Sequence, residues 1–308
     1  FSMHLHLSSF RSQYSSSGPD LPVCGQSILS TLYLLTILSH NILTNMDKIS
    51  AIIQARLGSK RFPKKILKKV SDKTILEHVI DQVQNSKLID EIIIATTDLK
   101  QDHAITEICK KNKIKFFRGS SNDLLDRYYY CAKKYSCQII VRITSDCPFI
   151  DPHVIDEAIK KYLSNSYDYV SNNIEKINQK WQNSTCNYPQ GMTVEISNMK
   201  TLETAWRFAK KSFEREHVFP YVQFNQTKFN IANLRHKQKI DMIRCTVDRE
   251  EDLKFIRELS KHLLPTNPIY ISDILKIIKK HPELLKINSH IPYDEGYKLS
   301  LKNDLKNI

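Results

Sequence analysis

The chain has 308 residues, of which 41% are hydrophobic and 26% are charged. This balance is typical of a globular protein and excludes a long disordered tail. The formal charge of +13 comes mostly from scattered lysines, which favours solvated helix faces over a polynucleotide groove and suits a small anionic substrate equally well.

Residues 1–45 differ from the rest of the chain. They are rich in serine and contain one Arg and one Asp. Their apolar stretch at 28–43 is short for a membrane span and lacks a small-residue cleavage site. We therefore predict an N-terminal extension outside the fold, with a weak anchor or signal as the alternative.

From residue 46 onward, short apolar strands alternate with amphipathic helices. The pattern predicts strands at 49–54, 91–96, 115–117 and 138–143, and helices at 74–86, 103–111, 123–134 and 152–163. Strands separated by helices of this length need crossover connections, which predict a mostly parallel sheet.

After about residue 166 the alternation becomes less regular. The pattern predicts strands at 169–171, 193–196, 229–234 and 242–247, and helices at 201–211, 216–224, 250–262 and 271–280. We therefore expect one α/β domain over 46–300, with a mixed, mostly parallel sheet flanked by helices, followed by a tail at 301–308.

A basic loop follows the first predicted strand. Residues 55–65 read A-R-L-G-S-K-R-F-P-K-K. Ligands of an open α/β sheet bind at the carboxyl ends of its strands, and Arg and Lys donors suit phosphate. Gly58 permits close approach of the backbone, and Ser59 offers a hydroxyl. The loop is neither a Walker nor a G-x-G-x-x-G motif, and a merely solvated basic loop stays the alternative.

Two aspartates directly follow predicted strands. Asp146 comes after the strand that ends in V-R-I-T, and Asp248 comes after M-I-R-C-T-V. Either residue could be the N-cap of the next helix. Because both lie at the same predicted sheet edge as the basic loop, Mg²⁺ is the better interpretation: this ion takes one or two carboxylates together with phosphate oxygens and water.

Seven cysteines occur without a single Cys-x-x-Cys pair. This pattern predicts neither a zinc site nor a disulfide framework. It indicates a reducing compartment, and we expect a cytoplasmic protein.

The order of the motifs resembles one known family. The loop at 55–65 is similar to the A-R-x-x-S-x-R-x-P-x-K signature of CTP-dependent sugar nucleotidyltransferases, which include the enzymes that activate 3-deoxy-manno-octulosonate and acylneuraminate. The later blocks follow in order, as R-G-S-S-N-D-L-L-D-R-Y-Y at 118–129, V-R-I-T-S-D-C-P-F-I-D-P at 141–152, E-R-E-H-V at 214–218 and T-V-D-R-E-E-D-L at 246–253. The chain most resembles the spore-coat polysaccharide synthesis cytidylyltransferases, over nearly all of 46 to about 300, and five ordered blocks are more specific than any single motif.

The resemblance implies a Rossmann-like nucleotidyltransferase fold with a nucleotide-binding half at 46–165, an acceptor and dimerisation half at 166–264, and C-terminal helices at 265–300. It implies that a cytidylyl group passes from CTP to a sugar or sugar acid for surface polysaccharide or glycan synthesis, with Mg²⁺ as cofactor. It also implies a homodimer, and no nucleic acid or membrane partner is expected.

Carried over position by position, the resemblance implies four groups of site residues. The catalytic group on the triphosphate would be Arg56, Arg61 and Lys65, and the Mg²⁺ ligands would be Asp146 and Asp248. The nucleotide would be bound by Ala55, Gly58, Ser59, Arg118, Asp126 and Arg127. The acceptor would face Gln190, Glu195, Glu216 and His217.

The chain departs from the family pattern at two positions, where the family usually has glycine. These are Lys64, in the basic loop, and Ser145, just before the expected metal ligand. A larger residue alters loop geometry at either position, although the charges beside it remain. The N-terminal extension is a third departure.

Several alternatives stay open. His217 is either a substrate contact or base, or a packing or capping residue. The whole protein could instead be a glycosyltransferase, although S-D-C-P at 145–148 lacks the second Asp of a D-x-D motif. A non-catalytic nucleic-acid-binding protein would show a steep salt dependence of polynucleotide affinity.

Overall fold

A computed structural model describes residues 47–174, 187–264 and 266–306. The predicted N-terminal extension, with its apolar stretch, lies outside the described residues. Within the described ranges, no helix is both long and apolar enough to cross a membrane. From Lys48 onward the chain forms one structural unit.

The described strands form a large sheet and a small hairpin. In chain order they are β1 (Ile49–Gln54), β2 (Lys69–Val70), β3 (Lys73–Thr74), β4 (Glu91–Thr97), β5 (Lys115–Gly119), β6 (Ile139–Thr144), β7 (Tyr169–Ser171), β8 (Glu195–Asn198) and β9 (Ile231–Asn233). The hairpin pairs β2 with β3, and the large sheet has the order β5-β4-β1-β6-β8-β7-β9.

The first half of the sheet is parallel. β1 pairs with β4 on one side and with β6 on the other, and β4 pairs with β5. The chain therefore moves outward from β1 to β5 and then returns to the opposite side of β1. In such sheets the crevice beside the point of reversal is where ligands bind, and here that point lies between β1 and β6.

The second half of the sheet is mixed. β8 runs antiparallel to both β6 and β7, and β7 runs parallel to β9. The predicted α/β fold with a mixed, mostly parallel sheet is therefore confirmed. The predicted strand at 242–247 is wrong, because this apolar segment forms only an isolated bridge, between Arg244 and Gln190.

Helices cover both faces of the sheet. They are α1 (Ile75–Gln84), α2 (His103–Lys111), α3 (Leu124–Lys134), α4 (Pro152–Leu163), α5 (Met199–Phe208), α6 (Ser212–His217), α7 (Pro220–Phe224), α8 (Glu250–Leu263), α9 (Ile271–Lys280) and α10 (Glu295–Lys306). Helix α10 extends into the range for which the sequence predicts a tail.

The single helix predicted at 216–224 is wrong. The structure has α6 and α7 instead, because Val218 adopts a φ of 74°. A β-branched residue at positive φ cannot continue a helix, and Pro220 suits the first turn of a new one.

The core lies on both faces of the sheet. Ile49, Ala51 and Ile53 of β1 pack with one cluster of buried residues, which includes side chains of α1, α4 and α8. Ile52 points to the other cluster, which includes side chains of α3 and α5. A parallel strand that is buried on both faces is apolar at nearly every position, which explains the run of β1, where the buried Ser50 donates its hydroxyl to Glu91.

A buried glutamine ties three segments of this core together. Gln82 of α1 is 3% exposed. Its Nε2 donates to the carbonyl oxygens of Ile150, at 2.9 Å, and Ile269, at 2.6 Å, and its Oε1 accepts from the amide of Ile269 at 2.9 Å. The side chain therefore satisfies backbone groups that are far apart in sequence.

We predict that Gln82→Leu destabilises the protein by about 3 kcal/mol, because each buried polar group left without a partner costs about 1–3 kcal/mol. The free energy of unfolding is measured by urea denaturation. Gln84→Leu, at an exposed position of the same helix, is the matched control and should change stability little. Equal effects of the two substitutions would contradict the prediction.

Candidate active site

The basic loop and Asp146 leave neighbouring strands at the point of reversal. The loop follows β1, and Asp146 lies two residues after the end of β6. The amide of Val247 donates to the carbonyl oxygen of Asp146 at 2.9 Å, which brings the segment that ends in Asp248 to the same edge. Residues about 200 positions apart in the chain thus meet at one end of the sheet.

The basic loop has a defined conformation. The amide of Leu57 donates to Oδ1 of Asp102 at 2.7 Å, and the amide of Lys64 donates to the carbonyl oxygen of Leu57 at 3.1 Å. Lys64 then adopts a left-handed conformation, with φ 55° and ψ 24°. Glycine adopts this conformation without steric cost, which accounts for the glycine of the family pattern here. Ser145 has no positive φ, so its backbone needs no glycine.

Lys65 joins the two predicted metal ligands. Its Nζ donates to Oδ2 of Asp146 at 2.6 Å and to Oδ1 of Asp248 at 2.7 Å. The Lys65 side chain is 11% exposed. A nearly buried ammonium between two carboxylates has its charge compensated, which a buried charge requires.

The charges of this cluster hold one another ionised. Burial by itself raises the pKa of Asp248. The charges of Lys65, Arg61 and Arg244 more than offset burial, and the pKa of Asp248 is lowered to about 2. Burial lowers the pKa of Lys65, and Asp146 and Asp248 raise it above its ordinary value. Asp248 is therefore an anion and Lys65 a cation at neutral pH.

Arg244 and Asp252 support the cluster, and the sequence analysis missed both. Arg244 is 5% exposed and donates to Oδ2 of Asp248 at 3.3 Å and Oδ1 of Asp252 at 2.7 Å. Asp252 is fully buried and accepts from the amides of Asp248, at 2.9 Å, and Arg249, at 3.0 Å. A lone Arg within the apolar run M-I-R-C-T-V is the signal that could have revealed this network.

The capping interpretation of the two aspartates is wrong. Helix α8 begins after Arg249, and Asp252 is the residue whose carboxylate accepts from the amides there. The amide at the start of α4 is capped by Asp151. The carboxylates of Asp146 and Asp248 thus face the basic loop.

Arg56 and Arg61 extend the cationic surface beyond Lys65. Arg61 Nη2 lies 3.1 Å from Oδ1 of Asp248. Arg56 is half exposed, and its nearest carboxylate is that of Glu216 at 4.0 Å. Because Arg56 has no close partner of opposite charge within the described residues, its guanidinium is available to an anionic ligand.

Residues at the start of the loop differ in exposure. Ala55 is buried and donates its amide to the carbonyl oxygen of Ala95 at 3.1 Å. Ser59 Oγ accepts from the amide of Phe62 at 3.4 Å. Gly58 is exposed, and an added Cβ would meet only Nε2 of Gln101, at 3.4 Å. The described protein itself therefore leaves room for a side chain at position 58.

Of the other predicted nucleotide residues, Arg127 lies near the loop. Burial and the charge of Arg56 lower the pKa of Arg127 to about 10, and its buried Nε has no partner within the described residues. Arg118 instead donates to the carbonyl oxygens of Thr97, Asp98 and Leu99. Asp126 accepts from Trp206 Nε1 at 2.9 Å, so it ties α3 to α5.

A cavity of about 80 Å³ lies beside the cluster and contains two of the predicted acceptor residues. Its lining includes Arg142, Glu195, His217 and Asp294. Glu195 is 5% exposed, pairs with Arg142, and accepts from the hydroxyl of Tyr169 at 2.6 Å. Its carboxylate is therefore already satisfied by the protein.

The remaining predicted acceptor residues surround this cavity. Gln190 Oε1 accepts from Arg244 Nη1 at 2.6 Å, which connects the cavity to the cluster. Glu216 is exposed and accepts from Ser300 Oγ at 2.6 Å. His217 packs against the ring of Phe213, with centroids 5.0 Å apart. Its Nε2 is buried without a hydrogen-bond partner within the described residues, so a ligand group could bind there.

The two carboxylates of the cluster fit a divalent cation. Asp146 and Asp248 already share one cationic group, and their side chains are 23% and 18% exposed. Within the described residues, no group of three or more His, Cys, Asp and Glu side chains could hold a metal ion. A pair of carboxylates is sufficient for Mg²⁺ when phosphate oxygens and water complete its shell. The chemistry of this pair thus suits a metal that binds together with a nucleotide.

A basic loop and paired carboxylates at the reversal point of such a sheet are typical of an enzyme that acts on nucleoside triphosphates. The sequence model described as cytidylyltransferase matches residues 50–287, and the chain belongs to this family. The resemblance found in the sequence is thereby confirmed.

Individual relatives agree with this assignment. An uncharacterized protein of Methanocaldococcus jannaschii is 39% identical over 246 residues, which are 79% of this chain and 96% of that protein. The spore coat polysaccharide biosynthesis protein SpsF of Bacillus subtilis is 26% identical, over 77% of this chain and 97% of its own length. A 3-deoxy-manno-octulosonate cytidylyltransferase of Geobacter metallireducens is 30% identical over 42% of this chain and 56% of that enzyme.

A solved structure gives the same result. A cytidylyltransferase from Leptospira borgpetersenii superposes with a TM-score of 0.72 at 32% identity, and the match covers 78% of this chain and 97% of that one. The chain is thus a CTP-dependent nucleotidyltransferase by family, which its fold also supports.

We predict that His217 makes the protein less stable in mild acid. Burial lowers the pKa of His217 from its ordinary 6.5 to about 4. Between these pH values the unfolded chain binds a proton that the folded chain does not, so stability falls as pH decreases from 6.5 to 4. The loss attributable to His217 is at most about 3 kcal/mol.

The measurement is urea denaturation at several pH values in this window. His217→Gln should flatten the pH dependence, whereas His103→Gln, at an exposed position of α2, should leave it unchanged. A His217→Gln protein with the slope of the wild type would contradict the prediction.

Proposed function

We propose that the protein transfers a cytidylyl group from CTP to a hydroxyl of a sugar or sugar acid, giving a CMP-sugar and pyrophosphate for polysaccharide or glycan synthesis. The observation that carries the proposal is the position of Lys65 between Asp146 and Asp248. A cation beside two carboxylates at the ligand-binding edge of the sheet suits a reaction in which negative phosphate groups arrive and depart. The names of the family and of several relatives support the same reaction.

The reaction needs no covalent intermediate. An oxygen of the acceptor hydroxyl attacks the α-phosphorus of CTP, and the bond from that phosphorus to the oxygen bridging to the β-phosphorus breaks. The hydroxyl proton passes to solvent or a nearby base, and the electron pair leaves with pyrophosphate. The protein therefore contributes mainly by positioning the reactants and neutralising charge.

Arg56, Arg61 and Lys65 are the proposed catalytic residues. Arg56 and Arg61 are both more than a third exposed, so their guanidinium groups can reach the β- and γ-phosphates. Lys65 and Arg61 both contact Oδ1 of Asp248, at 2.7 Å and 3.1 Å. Fork-shaped Arg donors bind phosphate oxygens in pairs, and the three cations together would stabilise the pyrophosphate as it leaves.

Asp146 and Asp248 are the proposed ligands of Mg²⁺. When bound, the ion would neutralise phosphate charge and orient the α-phosphate toward the acceptor. Lys65 already donates to both carboxylates, so its ammonium would turn toward the phosphates when the nucleotide and the ion bind.

The proposed nucleotide pocket consists of Ala55, Gly58, Ser59 and Arg127 directly, because these lie in or beside the loop. Arg118 and Asp126 would act by holding the surrounding segments, since their side chains are bonded to backbone carbonyls and to Trp206. The proposed acceptor site consists of Gln190, Glu195, Glu216 and His217. The homodimer through 166–264 stays a prediction, to be checked by light scattering after size-exclusion chromatography.

We predict pyrophosphate release with CTP, Mg²⁺ and one acceptor of a panel containing 3-deoxy-manno-octulosonate, an acylneuraminate and sugar phosphates. UTP, ATP and GTP are tested in parallel. Asp146→Asn, Asp248→Asn and Lys65→Met should each lower kcat/KM at least about 100-fold, since removal of one group that stabilises transition-state charge costs this much. Asp72→Asn, in the exposed β2–β3 turn, is the control and should retain full activity.

Arg56→Ala tests the same function at an exposed position, in case the variants at the buried positions fail to fold. Arg56 is half exposed, and its nearest carboxylate is 4.0 Å away, so its loss should leave stability unchanged. We expect the KM for CTP to rise about tenfold, which corresponds to about 1.4 kcal/mol. No release of pyrophosphate with any pair of nucleotide and acceptor would overturn the proposed function.

A further inference from the structure

The C-terminal segment, residues 294–306, lies across the candidate active site. An added Cβ at Gly296 would lie 3.0 Å from Nη2 of Arg61, so the backbone there packs directly against a proposed catalytic side chain. The ring of Tyr297 packs against that of His217, with centroids 4.9 Å apart, and Ser300 Oγ donates to Glu216 Oε2 at 2.6 Å. The segment lies beyond residues 50–287, which the family model matches.

The cavity beneath this segment is too small for a sugar acid. Its volume is about 80 Å³, and Asp294 and Tyr297 form part of its wall. A protein cavity of about 150 Å³ takes up benzene, and a six-carbon sugar acid has roughly twice the non-hydrogen atoms of benzene. The cavity can therefore enclose a whole acceptor only if part of the wall moves.

Polar contacts at the surface hold the segment in place. Arg249 Nη2 contacts Glu295 Oε1 at 2.7 Å, but these side chains are 42% and 29% exposed. The amide of Phe213 donates to Asp304 Oδ2 at 2.6 Å. Exposed ion pairs contribute little to stability, so the main cost of opening is the packing of Tyr297 against Phe213 and His217, and the sheet stays intact.

Asp294 lies just before α10, at a position where an Asp side chain usually caps the helix, but here it does not have that role. It adopts a φ of 51°, and its carbonyl oxygen accepts from the amide of Lys298 at 3.0 Å. Its carboxylate, instead of capping the helix, accepts from Asn173 Nδ2 and Gln190 Nε2, both at 3.4 Å. These contacts are longer than the usual 2.9–3.0 Å, so the carboxylate can accept a further hydrogen bond. Burial raises its pKa.

The other charges of the cavity compensate each other. Arg142 pairs with Glu195, which also accepts from Tyr169. The Asp294 carboxylate and the buried Nε2 of His217 are among the groups that can meet a ligand. A carboxylate attracts hydroxyl donors and repels a carboxylate or phosphate. The cavity therefore suits the hydroxyl-bearing part of an acceptor, and its acidic group must lie elsewhere.

We propose that residues 294–306 form a lid over the acceptor site, which opens to admit the acceptor, and that Asp294 binds acceptor hydroxyl groups when the lid closes. The proposal rests on the proposed function of the site. It adds a specificity-determining residue from outside the matched family region, and it assigns the cavity to the polyhydroxy part of the acceptor.

The first test is steady-state kinetics of Asp294→Asn with CTP, Mg²⁺ and each member of the acceptor panel. Asn has nearly the same shape, and its one amide oxygen can still accept from either Asn173 or Gln190, so a merely structural role would largely survive the change. We expect the KM for the acceptor to rise at least about tenfold, or about 1.4 kcal/mol, with the KM for CTP within about twofold. Asp72→Asn removes the same charge outside the site and should change neither constant. An unchanged acceptor KM, or an equal rise in both constants, overturns the assignment of Asp294.

The second test is hydrogen–deuterium exchange of the full chain. A lid predicts that residues 294–306 exchange faster than α8 in the free protein, and more slowly after addition of CTP, Mg²⁺ and 3-deoxy-manno-octulosonate. Exchange as slow as that of α8 in the free protein overturns the lid, because the segment is then a fixed wall. A panel without any turnover overturns the proposed function instead, and the two failures are distinguishable because exchange in the free protein requires no substrate.

Discussion

The structure of the site depends on a single cation held between two carboxylates. Lys65 meets Asp146 and Asp248 at 2.6 Å and 2.7 Å, in surroundings where an unpaired charge would be costly. The three residues come from three distant parts of the chain, so the cluster exists only when β1, β6 and the segment before α8 are in place. It places one cation and two carboxylates at the edge of the sheet where ligands bind, and the proposed nucleotide chemistry would use both kinds of charge.

Much of this arrangement could be predicted from the sequence. Apolar runs such as that of β1 are distinctive because a strand buried on both faces contains few polar residues, and crossover helices dictate a parallel sheet. Once the strands are ordered, Lys65 and Asp146 must lie near each other, since both follow neighbouring strands at one edge. Lys64 illustrates the same logic at one residue: the family's glycine marks a left-handed backbone, which the lysine adopts at φ 55°.

Other features depend on contacts that no local pattern carries. The run at 242–247 looks like a strand because it is apolar, yet it pairs at one bridge only, and its buried Arg244 serves Asp248 and Asp252. The contact between Asp294 and Asn173 joins residues that are 121 positions apart in the chain. Helix α10 has too few regularly spaced apolar residues to be predicted from the sequence. Arg118 and Asp126 bear the right chemistry, but tertiary contacts already engage both side chains, with a backbone carbonyl and with Trp206.

The release of Lys65 from Asp146 and Asp248 can be measured by electron paramagnetic resonance with Mn²⁺ in place of Mg²⁺. Mn²⁺ is titrated into the wild type and Asp146→Asn, with and without CTP. We expect tight binding of Mn²⁺ to the wild type only when CTP is present, because Lys65 occupies the carboxylates of the free protein, and loss of that binding in the variant. Equal binding of Mn²⁺ to both proteins, or tight binding of Mn²⁺ to the wild type without CTP, would overturn this exchange of cations.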